Sequence, residues 1–514
     1  MNSRIKKDYK LLFNDDGFCT FSNASKYQDI NKPVGLSQVY GYVDEVVDAG
    51  CDLFLLCPNM YQLPGWDSAH YPYWRNTGKI IEFPKDTAVG KVLTRAQEFY
   101  LAGNDLIQLS LDRARKRGID FFITWRMNEC HGIDDESLPN HSKFWRENPQ
   151  FRIGGDENKI GRESKALCFI HKEVRDYQFG FIKELCESYD IDGLELDFLR
   201  FPFFFPKKIS FNEKAPIMTQ YIRRIRDMLD GLGKDIPICA RVHNRLDFAR
   251  DMGLDIKACV DEGLIDMINI SPFYITQPEG DIESFRKLLL DTKLYAEITQ
   301  CAGTPKHIEL SVEESRKSTT EQIRSIAYSF FERGADGISL FNFVYYRDYS
   351  FGHPAKIDRC EPNFKALKNI CDRSLLAREE KHYYINENVN FSKQLPAILE
   401  NGRNVKLKIH VADNFNDDSI KSLFSKSILR IESNESATDS KVNAYLDGTM
   451  LRKTIYEEEL FDQPYKGGIP DNHNTYKDFL VPISELKKGW NEFEFKMMEG
   501  KPITIVRMEL ALYH

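Results

Sequence analysis

Residues 189–202 read YDIDGLELDFLRFP, and this stretch decides the fold prediction. Side chains two apart in a strand point to the same face, so Glu195 and Asp197 share one face and the apolar residues beside them share the other. If the strand belongs to a parallel barrel, the apolar face packs on the surrounding helices and the two acids point inward, with Asp197 nearer the mouth. Carboxylates in that position suggest acid–base or nucleophilic chemistry.

Short apolar strands of the same kind recur along the first part of the chain, with helical patterns between them. The eight candidate strands are 9–14, 51–57, 119–126, 191–198, 236–242, 265–271, 293–299 and 336–342. The clearest helical patterns are 171–189, 216–231, 281–291 and 317–333. Eight strand–helix units predict a (β/α)8 or TIM barrel of the α/β class.

Signals at the strand boundaries favour this barrel over a doubly wound open sheet, which is the alternative. Gly50, Gly118 and Gly334 each precede a candidate strand, and glycine suits the left-handed position that ends a helix. A nucleotide-binding open sheet usually carries a Gly-rich phosphate loop after its first strand. The turn at 14–17 reads NDDG instead, which favours the barrel.

From about residue 380 the apolar pattern changes to a period of two. Val405, Leu407 and Ile409 alternate with Lys406 and Lys408, and similar runs follow between turns rich in Asn, Asp, Gly and Ser. This pattern predicts an antiparallel β-sandwich of about seven strands. The cysteines all precede the change. We therefore expect a catalytic barrel at 1–375 and an accessory β-sandwich at 376–514.

Composition excludes several classes of protein. The 514 residues are 42% hydrophobic and 29% charged, a balance typical of globular proteins. The net charge of −8 argues against nucleic acid as a partner, because no basic excess is available to neutralise phosphates. The sequence has no run of about 18 apolar residues, so no membrane span is predicted. The oligomeric state is left open.

The cysteines and the N-terminus give two further expectations. Eleven cysteines without a CxxC pair predict neither a disulfide framework nor a zinc site. No cofactor is expected; a divalent metal at Asp16, Glu129, His131 or His243 is an alternative, with a spacing that is not diagnostic. The first residues lack the apolar region of a signal peptide. The protein is therefore expected to be cytoplasmic, or secreted or periplasmic if a signal peptide has been removed.

Aromatic and polar residues gather where the mouth of the barrel is expected. The loops at 58–103 and 127–170 hold three of the five tryptophans. Exposed rings stack on the apolar faces of sugars, and the alternative is that they pack the loops together. Polar residues end most strands, whereas a purely structural barrel interior would be mostly branched aliphatic. The candidates for binding sugar hydroxyls or a uronate carboxylate are Asp16, Arg126, Asn128, Glu129, His131, His243, Asn269 and Tyr274, with Trp66 and Trp74 in the loops.

Acid–base chemistry on a glycosidic bond requires two carboxyl groups that face each other across it. Glu195 and Asp197 are neighbours on one strand and make a poor facing pair. The seventh strand lies nearly opposite the fourth in an eight-stranded barrel, so Asp197 with Glu297 is the preferred catalytic pair. Glu129 is the reserve second acid.

Two of these candidates also have a structural interpretation. Glu195 lies one layer deeper than Asp197, and we expect it to be a buried partner of Arg126 or Arg241 rather than to react directly. His243 is predicted to contact ligand, and the alternative is a core histidine.

Residues 166–204, ALCFIHKEVRDYQFGFIKELCESYDIDGLELDFLRFPFF, resemble the glycosyl-hydrolase-like (β/α)8 proteins of bacterial polysaccharide-degrading systems, in the glycosidase superfamily. Those proteins carry a PEVRDY…YDVDG segment that ends in an aspartate on strand 4. The resemblance extends over roughly residues 10–350 and implies a nucleophile at Asp197. This chain departs from the pattern of amylase-type enzymes, which have arginine at the position of Glu195. Glu297 resembles instead the retaining enzymes with catalytic glutamates on strands 4 and 7.

The sequence therefore predicts a glycoside hydrolase that cleaves an oligo- or polysaccharide with paired carboxylates. Two other classes remain open. One is a glycan-binding barrel without turnover, and the other is a non-hydrolytic carbohydrate enzyme, such as a lyase with His243 or Tyr274 as its base.

Overall fold

A computed structural model describes most of the chain. The described residues are 4–22, 32–70, 82–84, 87–155, 161–303, 316–344, 361–387, 392–456, 458–463 and 473–514. Among them, no helix is long and apolar enough to cross a membrane.

Eight strands close into a barrel in the chain order expected for a (β/α)8 fold. They are β1 (Leu11–Asp15), β2 (Leu53–Leu56), β3 (Asp120–Arg126), β4 (Gly193–Asp197), β5 (Ile238–His243), β6 (Met267–Ser271), β7 (Lys293–Ile298) and β8 (Gly337–Phe341). Each strand lies between its neighbours in sequence, and β8 pairs with β1 to close the barrel. The (β/α)8 prediction is confirmed.

Helices lie between the strands. The longer ones are α1 (Leu36–Asp48), α2 (Ala88–Leu101), α3 (Leu106–Arg117), α4 (Lys172–Ser188), α5 (Phe211–Gly231), α6 (Leu246–Asp251), α7 (Ile256–Asp261), α8 (Ile282–Leu289) and α9 (Thr320–Glu332). Short helices span Lys143–Glu147, Arg162–Lys165, Arg373–Leu376 and Asp418–Lys421, and 3₁₀ turns span Pro149–Phe151, Phe364–Leu367, His473–Thr475 and Ile483–Glu485. α3 shows how sequence sets these bounds: Asp105 caps its first turn and Gly118, at φ 83°, ends it in the left-handed conformation.

The barrel interior is layered from an apolar floor to a polar mouth. The floor is formed by Tyr9, Leu12, Leu53, Leu55, Phe122, Cys239, Met267 and Tyr295. The register of β3, β4 and β5 places Glu195 level with Thr124 and Cys239, and Asp197 level with Arg126 and Arg241. Both acids therefore point inward on top of the apolar floor, as the alternation in β4 predicts.

The C-terminal part is a β-sandwich, as predicted. Its strands are β9 (Lys381–Asn386), β10 (Ala397–Leu399), β11 (Asn404–Val411), β12 (Lys426–Ser433), β13 (Lys441–Leu446), β14 (Thr449–Met450), β15 (Arg452–Thr454), β16 (Tyr476–Leu480), β17 (Gly489–Glu499) and β18 (Ile503–Tyr513). One sheet has the order β9-β18-β12-β16-β15, with β10 also paired to β18, and the other has the order β11-β17-β13-β14. In β11 the apolar side chains are buried and the lysines exposed, which is the predicted period of two.

Two small hairpins pair Asn59–Met60 with Leu63–Pro64 and Cys301–Gly303 with Arg316–Lys317.

Packing divides the chain into two compact units. The first contains residues 1–273, 283–297 and 339–355, and the second contains 274–282, 298–338 and 356–514. The second unit takes in α9 as well as the sandwich: the Ser325 hydroxyl accepts from the His382 amide at 2.8 Å, and Arg324 binds both Glu379 oxygens at 2.5 and 2.7 Å. A domain boundary at residue 375 stays a prediction.

Candidate active site

The top layer of the barrel contains a buried charge cluster centred on Arg241 of β5. Its guanidinium donates to both oxygens of Glu297 on β7, from Nε at 2.8 Å and from Nη2 at 3.0 Å. Its Nη1 lies 3.1 Å from each oxygen of Asp197 on β4. The ring of Phe341 covers the guanidinium at 4.0 Å, and Arg241 is 0% exposed. One cation therefore holds the two carboxylates predicted to be catalytic.

Asp197 and Glu297 differ in their surroundings. Asp197 is 4% exposed, and its Oδ1 also accepts from the Leu199 amide at 3.0 Å. The Glu297 side chain is fully buried and accepts from the Ser271 hydroxyl. Burial raises the pKa of Glu297, against the lowering effect of Arg241. Arg241 lies between the two carboxylates, and their facing each other across a bound sugar stays a prediction.

Glu195 lies beneath this cluster in a pocket of neutral donors. It accepts from Asn14 Nδ2, from the Thr124 hydroxyl at 2.7 Å and from Asn269 Nδ2 at 3.4 Å, with the Cys239 thiol at 3.5 Å. Burial raises the pKa of Glu195 to about 7, and the nearby Asp197 carboxylate adds to the effect. Glu195 is thus a barrel carboxyl that binds a proton near neutral pH.

The expected ion pair of Glu195 with Arg126 or Arg241 is wrong. In the described part of the chain no arginine donates to Glu195, because each arginine has other carboxylate partners. Arg241 binds Asp197 and Glu297, as described above, while Arg126 turns toward β1 and its own loop. The register alone did not reveal this, since Glu195 lies one layer below both arginines.

A second charge cluster gathers four of the predicted binding residues at the ends of β1 and β3. Arg126 Nη1 donates to Glu129 at 2.9 Å, and its Nη2 lies 3.4 Å from Asp16. Asn342, at the end of β8, donates to Asp16 at 2.8 Å and accepts from the Asp16 amide at 3.0 Å. These contacts join β1, β3 and β8 around the mouth.

His131 completes the second cluster. Its amide donates to Glu129 at 2.8 Å, its Nδ1 contacts the same oxygen, and its Nε2 contacts Arg200. Burial and the Arg200 charge lower the pKa of His131 to about 4, so the ring is neutral at neutral pH. Burial acts to raise the pKa of Glu129, but His131 and Arg126 outweigh it and the net shift is downward. A carboxyl held ionised in this way is poorly suited to be the reserve general acid.

Three more candidates have structural partners. Asn128 Nδ2 donates to the carbonyl oxygens of Leu167 at 2.8 Å and Phe203 at 2.5 Å, and so ties two loops together. Asn269 donates to the Ser339 hydroxyl at 3.1 Å as well as to Glu195, deep in the barrel. Tyr274 falls in the second compact unit, where its carbonyl accepts from Thr299 at 2.8 Å.

His243 ends β5, as predicted, and is buried there. Its Nδ1 accepts from the Arg245 amide at 3.1 Å, and its ring packs 4.5 Å from that of Phe248. Burial and the neighbouring Arg245 charge lower the pKa of His243 to about 3, so the imidazole is neutral. This environment matches the core-histidine alternative more closely than an exposed ligand contact.

The predicted aromatic platform is wrong for Trp66. Its side chain is 2% exposed, its Nε1 donates to Glu184 of α4 at 3.1 Å, and its ring packs against Trp125 and Phe181. Packing of the loop on α4, the alternative interpretation, explains this residue. Trp74 lies outside the described residues.

One group of side chains offers several metal-ligand atoms among the described residues. Oxygens of Asp15 and Asp16 and the Cys19 sulfur lie within 4.8 Å of one another. Asp15 is already bound by the Tyr42 hydroxyl and the Gly17 amide, and burial with the nearby Asp16 raises its pKa to about 6. Burial also raises the pKa of the Cys19 thiol, whereas a metal binds thiolate. This chemistry does not favour a metal.

The sequence did not lead us to predict that Arg241 is the centre of the upper charge cluster. Sequence reasoning treated the residue only as one possible partner of Glu195, although the sequence carries a usable signal. Arg241 shares an inward face with His243, and β5 follows β4 directly in a barrel, so the arginine had to lie beside Asp197.

Comparisons with known proteins add solved structures but no family. No protein-family model matches this sequence, and no curated protein matches it. Alpha-L-fucosidase isoenzyme 1 from Paenibacillus thiaminolyticus is 14% identical, over 96% of this chain and 97% of that chain, with a TM-score of 0.36. The glycoside hydrolase domain of PgaB (BpsB) from Bordetella bronchiseptica is 11% identical, over 70% of this chain and 98% of that chain, with a TM-score of 0.41. The endo-beta-1,4-mannanase from Thermotoga petrophila is 11% identical, over 98% of both chains, at 0.40. At these scores the likeness carries no argument about activity.

Proposed function

We propose that this protein is a glycoside hydrolase that acts on an oligo- or polysaccharide, with Asp197 as its reacting carboxylate. The observation that carries the proposal is the position of Asp197, at the mouth end of β4 with both oxygens on one buried guanidinium. The guanidinium fixes the direction of the carboxylate through charge-assisted hydrogen bonds. A nucleophile or general base must be held in a fixed direction toward the reacting atoms.

The second charge cluster supports a polyhydroxylated substrate. Asp16 and Glu129 present carboxylate oxygens, and Arg126 and the neutral His131 present nitrogen atoms, at the ends of β1 and β3, on either side of β2. Sugar hydroxyls both donate and accept, so a mixed set of charged acceptors and donors suits them. We therefore assign this cluster to substrate binding.

Glu297 is assigned a positioning role through Arg241. Its side chain is fully buried and both its oxygens are taken by the guanidinium, so it lies behind Arg241 as seen from Asp197. In this role Glu297 keeps Arg241 directed at Asp197. The competing role is general acid, which the raised pKa of Glu297 would suit.

The activity is tested with a panel of oligosaccharides and aryl glycosides, with chromatography of the products. Hydrolysis of one class of glycoside is the expected result. Binding without hydrolysis across the panel would instead support a non-catalytic glycan-binding barrel. An unsaturated product that absorbs in the ultraviolet would show a lyase.

The role of Glu297 is tested by E297Q on two substrates of one sugar, with a good and a poor leaving group. A positioning residue predicts the same fractional loss of kcat on both, and an unchanged alkaline limb of the pH–rate profile. A general acid predicts near-normal turnover of the activated substrate, because departure of a good leaving group needs no proton, and loss of the alkaline limb.

A further inference from the structure

A small cavity lies beside β3 and α4, among the loops that follow β2 and β3. Its volume is about 20 Å³, and Leu63 and Phe181 contribute apolar walls. Trp125 of β3 and Gln178 of α4 also line it. The lining is mixed, because it also includes the polar side chains of Asn59, Gln62, Glu129, Ser142 and Tyr177.

Trp125 and Gln178 are both buried, and each has one unsatisfied polar atom. Trp125 is 3% exposed and Gln178 is 6% exposed, and in the described part of the chain Trp125 Nε1 and Gln178 Oε1 have no hydrogen-bond partner. The neighbouring tryptophans differ, since Trp66 Nε1 donates to Glu184 at 3.1 Å and Trp145 Nε1 donates to the Lys165 carbonyl at 2.8 Å. Buried indole N–H groups normally find a partner, so the exception at Trp125 requires an explanation.

We propose that one ordered water molecule occupies this cavity, accepts from Trp125 Nε1 and donates to Gln178 Oε1. A cavity of about 10–15 Å³ suffices for one water, whereas a sugar ring needs a far larger space. The two unsatisfied atoms are a donor and an acceptor, and water is both. The water links the strand that ends in Arg126 to the helix that packs on it.

A crystal structure at a resolution that shows ordered water tests the site directly. The expected result is a density peak at about 2.7–3.2 Å from both Trp125 Nε1 and Gln178 Oε1. An empty cavity, or a peak that contacts neither atom, would overturn the proposal. Crystals grown without polyols exclude a cryoprotectant hydroxyl as the source of the peak.

Chemical denaturation of Q178M, made alone and in a W125F background, tests the same water in solution. Met keeps the length of the side chain but removes the amide. If water bridges the two groups, Q178M alone leaves Trp125 unsatisfied and raises the unfolding equilibrium constant about five- to tenfold. In the W125F background the same change has little effect, because the partner is already gone.

A dry cavity predicts the opposite sign. Q178M then removes an unsatisfied oxygen and lowers the unfolding constant in both backgrounds, with no coupling between the two sites. W145F is the matched control, because its indole donates directly to a carbonyl. Its effect is expected to add to that of Q178M without coupling.

Discussion

Two buried charge networks, one in the barrel and one in the second compact unit, differ in their balance of charge. The barrel network consists of the acids Asp16, Glu129, Glu195, Asp197 and Glu297 with Arg126 and Arg241. The network of the second unit consists of Glu432, Asp478 and Glu509 with Arg316, Arg430 and Arg507. The barrel network thus has five buried acids and two buried arginines, and Glu195 pairs with neither arginine. The network of the second unit has three buried acids and three buried arginines.

The difference indicates what each network is for. A buried charge is tolerated when it is paired. In the second unit Arg430 pairs with Asp478 on the neighbouring strand, and Arg507 pairs with Glu509 on its own strand. There, Arg507 and Arg316 lower the pKa of Glu509 against the effect of burial. In the barrel the excess acid has no such partner, and Glu195 has a raised pKa instead. Unbalanced, perturbed acids at strand ends are typical of functional sites.

The largest expected effect separates the two networks by activity. Asp197 and Asp478 are both aspartates paired with a buried arginine, Asp478 with Arg430 Nε at 2.8 Å. D197N is expected to lower kcat at least about 10³-fold, because it removes the reacting carboxylate. D478N is expected to leave kcat per folded molecule unchanged while lowering stability. Steady-state kinetics, with kcat corrected for the folded fraction of each variant, measure both effects. Near-normal turnover of D197N would refute the assignment.

The second effect is on stability and tests the imbalance itself. R241M leaves two buried carboxylates without their cation, whereas R430M leaves one. Breaking a buried ion pair typically costs about 3–5 kcal/mol, so R241M is expected at or above the top of that range and R430M within it. Urea unfolding measures both. Equal losses would show that Glu297 and Asp197 do not both depend on Arg241.

The third effect is a pH dependence centred on Glu195, which faces Asp197 on its own strand and Arg241 on β5. Its folded pKa of about 7 lies above the ordinary 4.5, so the native state binds the proton more tightly than the unfolded chain. Stability from this group is full below pH 4.5 and is lost as the pH rises to about 7. E195Q, which mimics the neutral acid, is expected to remove this slope and to exceed wild type by about 3 kcal/mol above pH 7.

The matched control for E195Q is E509Q, because Glu509 has a lowered pKa. Its contribution to stability is present above the unfolded pKa and is lost as the pH falls, so E509Q is expected to be destabilising at neutral pH. Unfolding curves between pH 4 and pH 8 measure both slopes. If wild type and E195Q run parallel across this window, Glu195 is not the proton-binding group.

The smallest effect concerns Trp66, which the structure buries on α4. W66F removes the hydrogen bond to Glu184 and is expected to lower stability by about 1–2 kcal/mol. KM should not change, because the Trp66 ring is buried and does not contact substrate. A rise in KM without loss of stability would restore the platform interpretation.

The barrel could be predicted from sequence because its signals are local. The alternation in β4, the glycines that end helices and the polar residues that end strands each depend on a few adjacent residues. The same reasoning placed Asp197 and Glu297 on inward faces of β4 and β7. These predictions required no knowledge of which side chains meet.

The failures all concern contacts between distant segments. Trp66 is buried because its indole N–H donates a hydrogen bond to Glu184, 118 residues further along the chain on α4. Glu195 accepts hydrogen bonds from neutral donors on β1, β3 and β6. Arg241 donates instead to Asp197 on β4 and Glu297 on β7. Which donor reaches which acceptor inside a closed barrel depends on side-chain geometry in three dimensions, which periodicity does not encode.

The most direct test of the central claim is a crystal structure of D197N with a bound oligosaccharide from the class that the wild-type protein hydrolyses. The proposal predicts an anomeric carbon about 3–3.5 Å from the side chain at position 197, or from a water held by it. It also predicts sugar hydroxyls on Asp16, Arg126 or Glu129. A sugar whose anomeric carbon lies against another carboxylate, or that binds away from the barrel mouth, would contradict it.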